Sequence, residues 1–417
     1  MATRRALSTL SLACLLVLAG CGAPFGASTT PDPTPAATGT EPGVTSTATP
    51  DGSEPSATER GVGPGDPAGV GESRRVAVRG GELPFNATVV YRRVERLLGV
   101  DEPVPEVVVG DRDAFDFSAI EPRPYQAALG LQAGSVSDCA TFYSASGGDP
   151  ISITQGTLSA EAVELIFVHE LGHTFQGRAS GSVDMTELGE SSTYLTGGVA
   201  VYTTDRYAER YDKRWNGSRP VDVRECVYDE APGAYRQTAG EIYFGARYVE
   251  ERVDEPTNLS AVFESPPESA EAVVHRLEPG AEPVRSLDVR VDGGDRWAVG
   301  ERRRAGEIEL RAWLHAGLPD DQVDTAATGW GADRLVRFGD DTDPSVAWVL
   351  RMDSAGDADE LADAVADLET DLESRNATEL RSTRVGEATV VAFAGTESFV
   401  ANATAGGTAG NVTVAAP

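Results

Sequence analysis

The period of the apolar residues changes several times along the chain, and each change predicts an element. From Ala87 to Leu98 apolar residues recur every three to four positions, which predicts an amphipathic helix. Val104 to Val109 is a strand-like run, and Pro124 to Leu131 is again helical. Ala140 to Tyr143 and Ile151 to Thr154 predict two short strands separated by the turn-forming Ser-Ala-Ser-Gly-Gly-Asp. Ala160 to Arg178 then carries apolar residues on almost every side, predicting a buried helix whose start Ser159 caps. Further helices are expected from Asp184 to Arg214 and from Arg236 to Val253, and a short segment holding His275 begins at Pro266 and Pro267.

The pattern changes in the last third. Arg285 to Val291 is strand-like, and Gly306 to Ala316 and Gln322 to Thr328 are helix-like. Arg334 to Phe338 and Val346 to Met352 predict paired strands, Asp357 to Ser374 an acidic amphipathic helix, and Ala388 to Ala394 a final strand. The expected fold class is α+β. The expected organisation is a helix-rich domain over 76–280, an α+β region over 281–400 and a flexible tail over 401–417.

What precedes residue 76 reads as an address and a tether. Arg4-Arg5 stands before an apolar run from Leu10 to Ala19, too short to span a bilayer, followed by Leu18-Ala19-Gly20-Cys21. Residues 1–21 are therefore expected to be a signal peptide whose lipobox resembles those that lipidate a cysteine, here Cys21. The paired arginines resemble a twin-arginine export signal, and a cleaved signal with an incidental cysteine is the alternative. Residues 22–75 are Pro, Thr, Ser, Gly and Ala with almost no large apolar residue, the composition of a disordered tether. The chain is thus expected on the extracellular face of the membrane, held by a lipid anchor. Asn-x-Ser/Thr sequons at Asn86, Asn216, Asn258, Asn376, Asn402 and Asn411 agree with a glycoprotein. In that compartment Cys139 and Cys226 have the chance to pair.

Charge narrows the partners. The 417 residues carry a formal charge of −31, and Lys213 is the single lysine among 35 basic residues. Such a surface repels nucleic acid and resembles those of halophilic proteins, whose carboxylates hold water while salt screens their repulsion.

The chemistry concentrates in Ala160 to Arg178, which contains His169-Glu170-Leu171-Gly172-His173. In this HExxH pattern the two imidazoles stand one turn apart on one helix face, where they can share a zinc ion. Glu170 lies beside them as the base that would deprotonate a metal-bound water, as in a zinc peptidase acting on a peptide or cell-surface substrate. Only four histidines occur in the chain, which makes the spacing informative. Two hydrogen-bonded core histidines in a buried helix are the alternative. A catalytic zinc takes three protein ligands, and Gln176 and Ala179 stand where a longer metzincin pattern would need glycine and histidine. Glu190 is a further candidate as a ligand, and Glu271 and His275 are candidates as ligands or as groups steadying an oxyanion. His315 and the segment Gly329-Trp330-Gly331-Ala332-Asp333-Arg334 read as structural.

Taken in order, these motifs resemble a family of haloarchaeal surface lipoproteins of uncharacterised function. His169, Glu170 and His173 match its histidine-glutamate helix; Gly198, Ala200 and Tyr202 match its second helix. Pro267, Ser269, Glu271 and His275 match a third motif, with Ala270 for threonine. Gly329, Trp330, Gly331, Asp333 and Arg334 match a fourth, with Ala332 for glycine. The resemblance runs from about Val90 to Val400 and implies a zincin-like domain. One departure matters: Gly197 stands where the family pattern carries the glutamate that would be the third ligand. Glu190 on the same face is two turns earlier, about 10 Å away at 1.5 Å per residue. The sequence therefore admits both a zinc-dependent metallopeptidase and a surface protein that keeps the fold without turnover, in a binding or purely structural role.

Overall fold

In the computed structural model Val163, Leu165, Ile166, Phe167, Val168 and Leu171 are all buried, so the histidine-bearing stretch is a helix enclosed by its neighbours. The structure describes residues 74–110, 121–134, 145–146, 150–156, 158–181, 183, 188–293 and 296–417. The signal peptide and its Cys21, nearly all of the tether, and the strand expected at Ala140 to Tyr143 lie outside them.

The chain opens with β1 (Ala77–Arg79), α1 (Ala87–Leu98), β2 (Glu106–Gly110), α2 (Pro124–Ala128), β3 (Ala145–Ser146) and β4 (Ile151–Thr154). These strands make a small sheet in the order β1-β2-β4-β3, with β3 antiparallel to β4 and the other pairs parallel. Helices follow: α3 (Ala160–Ala179), α4 (Ser191–Tyr211), α5 (Pro220–Glu230), α6 (Gly233–Arg252), α7 (Ser260–Glu264) and α8 (Ala270–Val274). Their apolar faces share one core with α1 and the small sheet, including Tyr91, Ile166, Phe175, Tyr202 and Val249. The helix expected from Asp184 is shorter than its pattern, because Gly189 takes φ +56° and α4 starts after it. The sequence reading did not anticipate α5, which Pro220 starts.

The second half contributes β5 (Asp288–Asp292), β6 (Val299–Arg303), α9 (Glu307–Leu314), α10 (Asp320–Ala327), β7 (Trp330–Phe338) and β8 (Ser345–Met352). It ends with α11 (Ala355–Ser374), β9 (Glu379–Arg384), β10 (Thr389–Gly395), α12 (Glu397–Val400), β11 (Thr404–Thr408) and β12 (Asn411–Ala415). An antiparallel sheet in the order β6-β7-β8-β10-β9 is buried on both faces. Leu335, Trp348, Leu350 and Ala392 face α9, α10 and α11, while Val336, Val349 and Phe393 face α12 and a second sheet, β11-β12-β5. This alternation is the two-residue period of a strand with a hydrophobic layer on each side.

The fold is mixed α+β, as expected. The flexible tail is not: residues 401–417 include the hairpin of β11 and β12, and β12 pairs in parallel with β5. Val412 and Val414 are buried and anchor it. The expected boundary near residue 280 is crossed in both directions. Tyr125 and Leu129 pack into the C-terminal core, Trp313 Nε1 donates to Leu129 O at 3.1 Å, and Ile308 packs into the helical core. Among the described residues no helix is long and apolar enough to cross a membrane.

Candidate functional site

The histidines owe their position to how closely α3 and α4 approach. Ser159 accepts from Ala162 N to start α3, with Glu161 in its first turn and Arg178 in its last, both favourable to the helix dipole. α4 runs antiparallel beside it. Gln176 Nε2 donates to Thr196 O at 2.5 Å near one end, and Tyr207 Oη donates to Glu164 Oε1 at 2.6 Å near the other. Lys213 meets the second oxygen of Glu164 at 3.0 Å, so this buried carboxylate is satisfied. Between these ties Gly172 faces Ala200, where a Cβ would come within 2.9 Å of the Ala200 Cα.

The rings of His169 and His173 meet edge to face, with centroids 4.8 Å apart and planes at 88°. His169 is 7% exposed and Glu170 is wholly buried. Burial holds the His169 imidazole well below its usual pKa, with His173 and the Arg224 guanidinium adding to the effect. Burial and then Arg224 bring His173 down to about 4, against the opposing influence of Gln176. Both rings are neutral at pH 7, the form that binds a metal. His173 Nε2 is enclosed without a hydrogen-bond partner among the described residues.

Three observations oppose a catalytic zinc here. Among the described residues no third His, Cys, Asp or Glu joins the two histidines in a group able to hold an ion. The position expected to carry the missing glutamate is covered: a Cβ on Gly197 would lie 3.0 Å from Ile242 Cγ1 of α6. Finally, Arg224 of α5 places a positive charge where it acts on both imidazoles. These residues fit a two-imidazole seat and do not fit a three-ligand hydrolytic centre.

The remaining candidates are elsewhere. Glu190 is engaged by Arg304 Nε at 3.4 Å. Glu271 and His275 belong to α8 and its C-cap, and they face residues of the C-terminal half. His275 Nε2 lies 3.1 Å from Glu307 Oε1, and Arg311 Nη2 approaches the same oxygen at 2.7 Å. The hydrogen bond to Glu307 raises the His275 pKa against the effect of burial. Glu271 is 3% exposed, and burial, then the charge of Glu307, pushes its carboxyl up to about 8. Its oxygen joins those of Glu282 and Asp353 within 4.8 Å. Sequence reasoning did not single out Arg224, Glu282, Glu307 or Asp353. Each is an ordinary charged residue until the fold brings it to its partners.

Cys226 is disulfide-bonded, and Cys139 lies outside the described residues. His315 is held by packing, its ring edge-on to Tyr228 and its Nδ1 3.4 Å from Asp320. Asp333 is structural: it accepts from Ala305 N at 2.8 Å, Gly306 N at 2.7 Å and Trp330 Nε1 at 3.0 Å.

Residues 296–413 match a family described as a domain of unknown function (DUF8575). The match takes in the five-stranded sheet with α9 to α12 and does not reach the histidine helix. No curated protein and no solved structure matches the chain.

Proposed function

We propose that this chain is an exported, lipid-anchored surface protein whose helical half is a zincin-like domain that no longer hydrolyses peptides. In this reading it serves the cell envelope by binding. The leader ending in Leu18-Ala19-Gly20-Cys21 and the tether-like residues 22–75 support export and anchoring. The observation that carries the loss of turnover is Ile242 over Gly197, which fills the place from which the third ligand would come. The Arg224 guanidinium, which adds to burial in lowering the pKa of both His169 and His173, supports the same reading.

A metal-dependent peptidase is the second reading. What favours it is the neutrality of both imidazoles and the enclosed, unpartnered Nε2 of His173, beside the buried Glu170.

The full chain, purified in molar NaCl, is assayed for bound zinc and for casein cleavage alongside Glu170→Gln and His169→Ala. Casein should survive the wild type and both variants equally. Cleavage by the wild type that disappears in both variants would overturn the non-hydrolytic reading. Detergent phase partitioning checks the anchor: the wild type should enter the detergent phase, and Cys21→Ser should remain in the aqueous phase.

A further inference from the structure

A second, separate group of side chains stands where α8, the segment after it and the end of β8 converge. Glu271 comes from α8, Glu282 from the segment leading to β5, and Asp353 follows Met352 at the end of β8. One carboxylate oxygen from each lies within 4.8 Å of the other two. The three differ in exposure: Glu271 is buried, Asp353 is intermediate and Glu282 is exposed, so the cluster opens to solvent on one side.

Acidic residues crowd together often on a chain of charge −31, and crowding alone would mean little. What distinguishes this cluster is Glu271. Its side chain has no hydrogen bond and no ion pair among the described residues, although the residue is only 3% exposed. Its Ser269-capped helix and the neighbouring Val273 and Val274, both buried, hold it in place. Behind it Glu307, wholly buried, commits Oε1 to His275 and Arg311, while its Oε2 has no partner among the described residues. Glu307 has Arg311 as its cation, whereas Glu271, facing the cluster, has none of its own among the described residues. These residues supply the cluster with a cation of limited reach: Arg285 Nε, 2.6 Å from Asp353 Oδ1 on a half-exposed side chain.

We infer that Glu271, Glu282 and Asp353 form a binding site for a calcium ion that ties the helical core to the C-terminal sheet. The donors are all hard oxygens, the set that calcium and magnesium prefer over softer metals. Flexibility favours calcium: magnesium demands near-ideal octahedral geometry and gives up its waters reluctantly, whereas calcium accepts an irregular set of carboxylates and waters. The open side leaves room for the waters that complete a calcium shell. Arg285 keeps its backbone bond to Gly331 O at 2.8 Å, and its exposed guanidinium is free to turn to solvent when the ion arrives. Binding closes a link between Val273 and Val274 of the helical core and Met352 of the C-terminal core. This site is independent of whether the histidine pair binds zinc.

The test uses the full chain, stripped with EDTA and held in molar NaCl so that general screening of the acidic surface is already saturated. Calorimetric titration with CaCl2 should give one equivalent, and added CaCl2 should raise the melting temperature by several degrees, with MgCl2 at least tenfold weaker. Glu271→Gln and Asp353→Asn should each weaken calcium at least tenfold, and Glu360→Gln, on the exposed face of α11, should leave it unchanged. If Glu271→Gln does not fold, Glu282→Gln at the exposed rim must still show the loss. Absence of stoichiometric calcium, or equal affinity in all variants, would overturn the proposal. So would a Glu271→Gln protein that outlasts calcium-treated wild type on heating. That result would mean that the Glu271 carboxylate strains the fold and that no ion is bound there to relieve it.

Discussion

A Cβ placed on Gly197 would sit 3.0 Å from Cγ1 of Ile242, so the α4 position that should offer a third metal ligand is occupied by a side chain of α6. Gly197→Glu alone should not restore a site. The new side chain must displace Ile242, and forced packing of this kind costs about 1–3 kcal/mol. Thermal unfolding in high salt should show that loss with no gain in bound zinc. Adding Ile242→Ala should return part of the stability. Full zinc occupancy in the single variant would show that the covering is unimportant.

The neighbouring glycine should be far less tolerant. A Cβ on Gly198 would lie 2.6 Å from the carbonyl oxygen of Gly245 and 2.9 Å from Ala246 N, so α4 and α6 touch backbone to backbone. A side-chain tip can rotate away but a backbone cannot. Gly198→Ala should therefore cost more than Gly197→Ala, by about 2 kcal/mol or more. Chemical denaturation of the two variants measures the difference, and equal midpoints would contradict the crossing.

Acid should act on the histidine helix. His173 titrates at about 4 in the folded chain and near 6.5 when unfolded. The unfolded state thus binds more protons between these values, and stability falls as pH drops from 6.5 to 4. His173 is partly buried, so the loss stays below the roughly 3 kcal/mol that the full difference in pKa would give. His173→Gln should flatten this limb of a plot of stability against pH. Parallel curves for wild type and variant would count against a neutral, enclosed His173.

Asp333 should matter for stability and not for any chemistry. Its carboxylate satisfies two backbone N–H groups and the Trp330 indole within the C-terminal half. Asp333→Ala strands all three donors, and at about 1–3 kcal/mol for each buried unsatisfied group the domain should unfold or aggregate. Asp333→Asn retains an acceptor and should recover part of the loss. Urea midpoints compare them.

Legibility from the sequence followed the buried elements. α1, α3, α6, β7, β8, α11 and β10 were readable because each presents an apolar face or an unbroken apolar run. β6 and β9 were not, since both are edge strands, Val-Gly-Glu-Arg-Arg and Glu-Leu-Arg-Ser-Thr-Arg, whose charge discourages further pairing and hides the period. The terminal hairpin was missed for another reason. Its Gly406-Gly407 and small residues resemble a tail until Val412 and Val414 find their core.

By itself the sequence determined that His169, Glu170 and His173 share a buried helix, because capping, spacing and apolar content act within a few residues of one another. Only the tertiary structure decided what surrounds them. Arg224, Ile242 and the absence of a third ligand among the described residues depend on how α4, α5 and α6 cross, and those crossings rest on contacts such as Gly198 with Gly245. The same holds for Glu271, Glu282 and Asp353: Asp353 lies far along the chain from the other two and joins them only when two cores pack together. Local chemistry writes a helix; convergence of charges is a property of the whole fold.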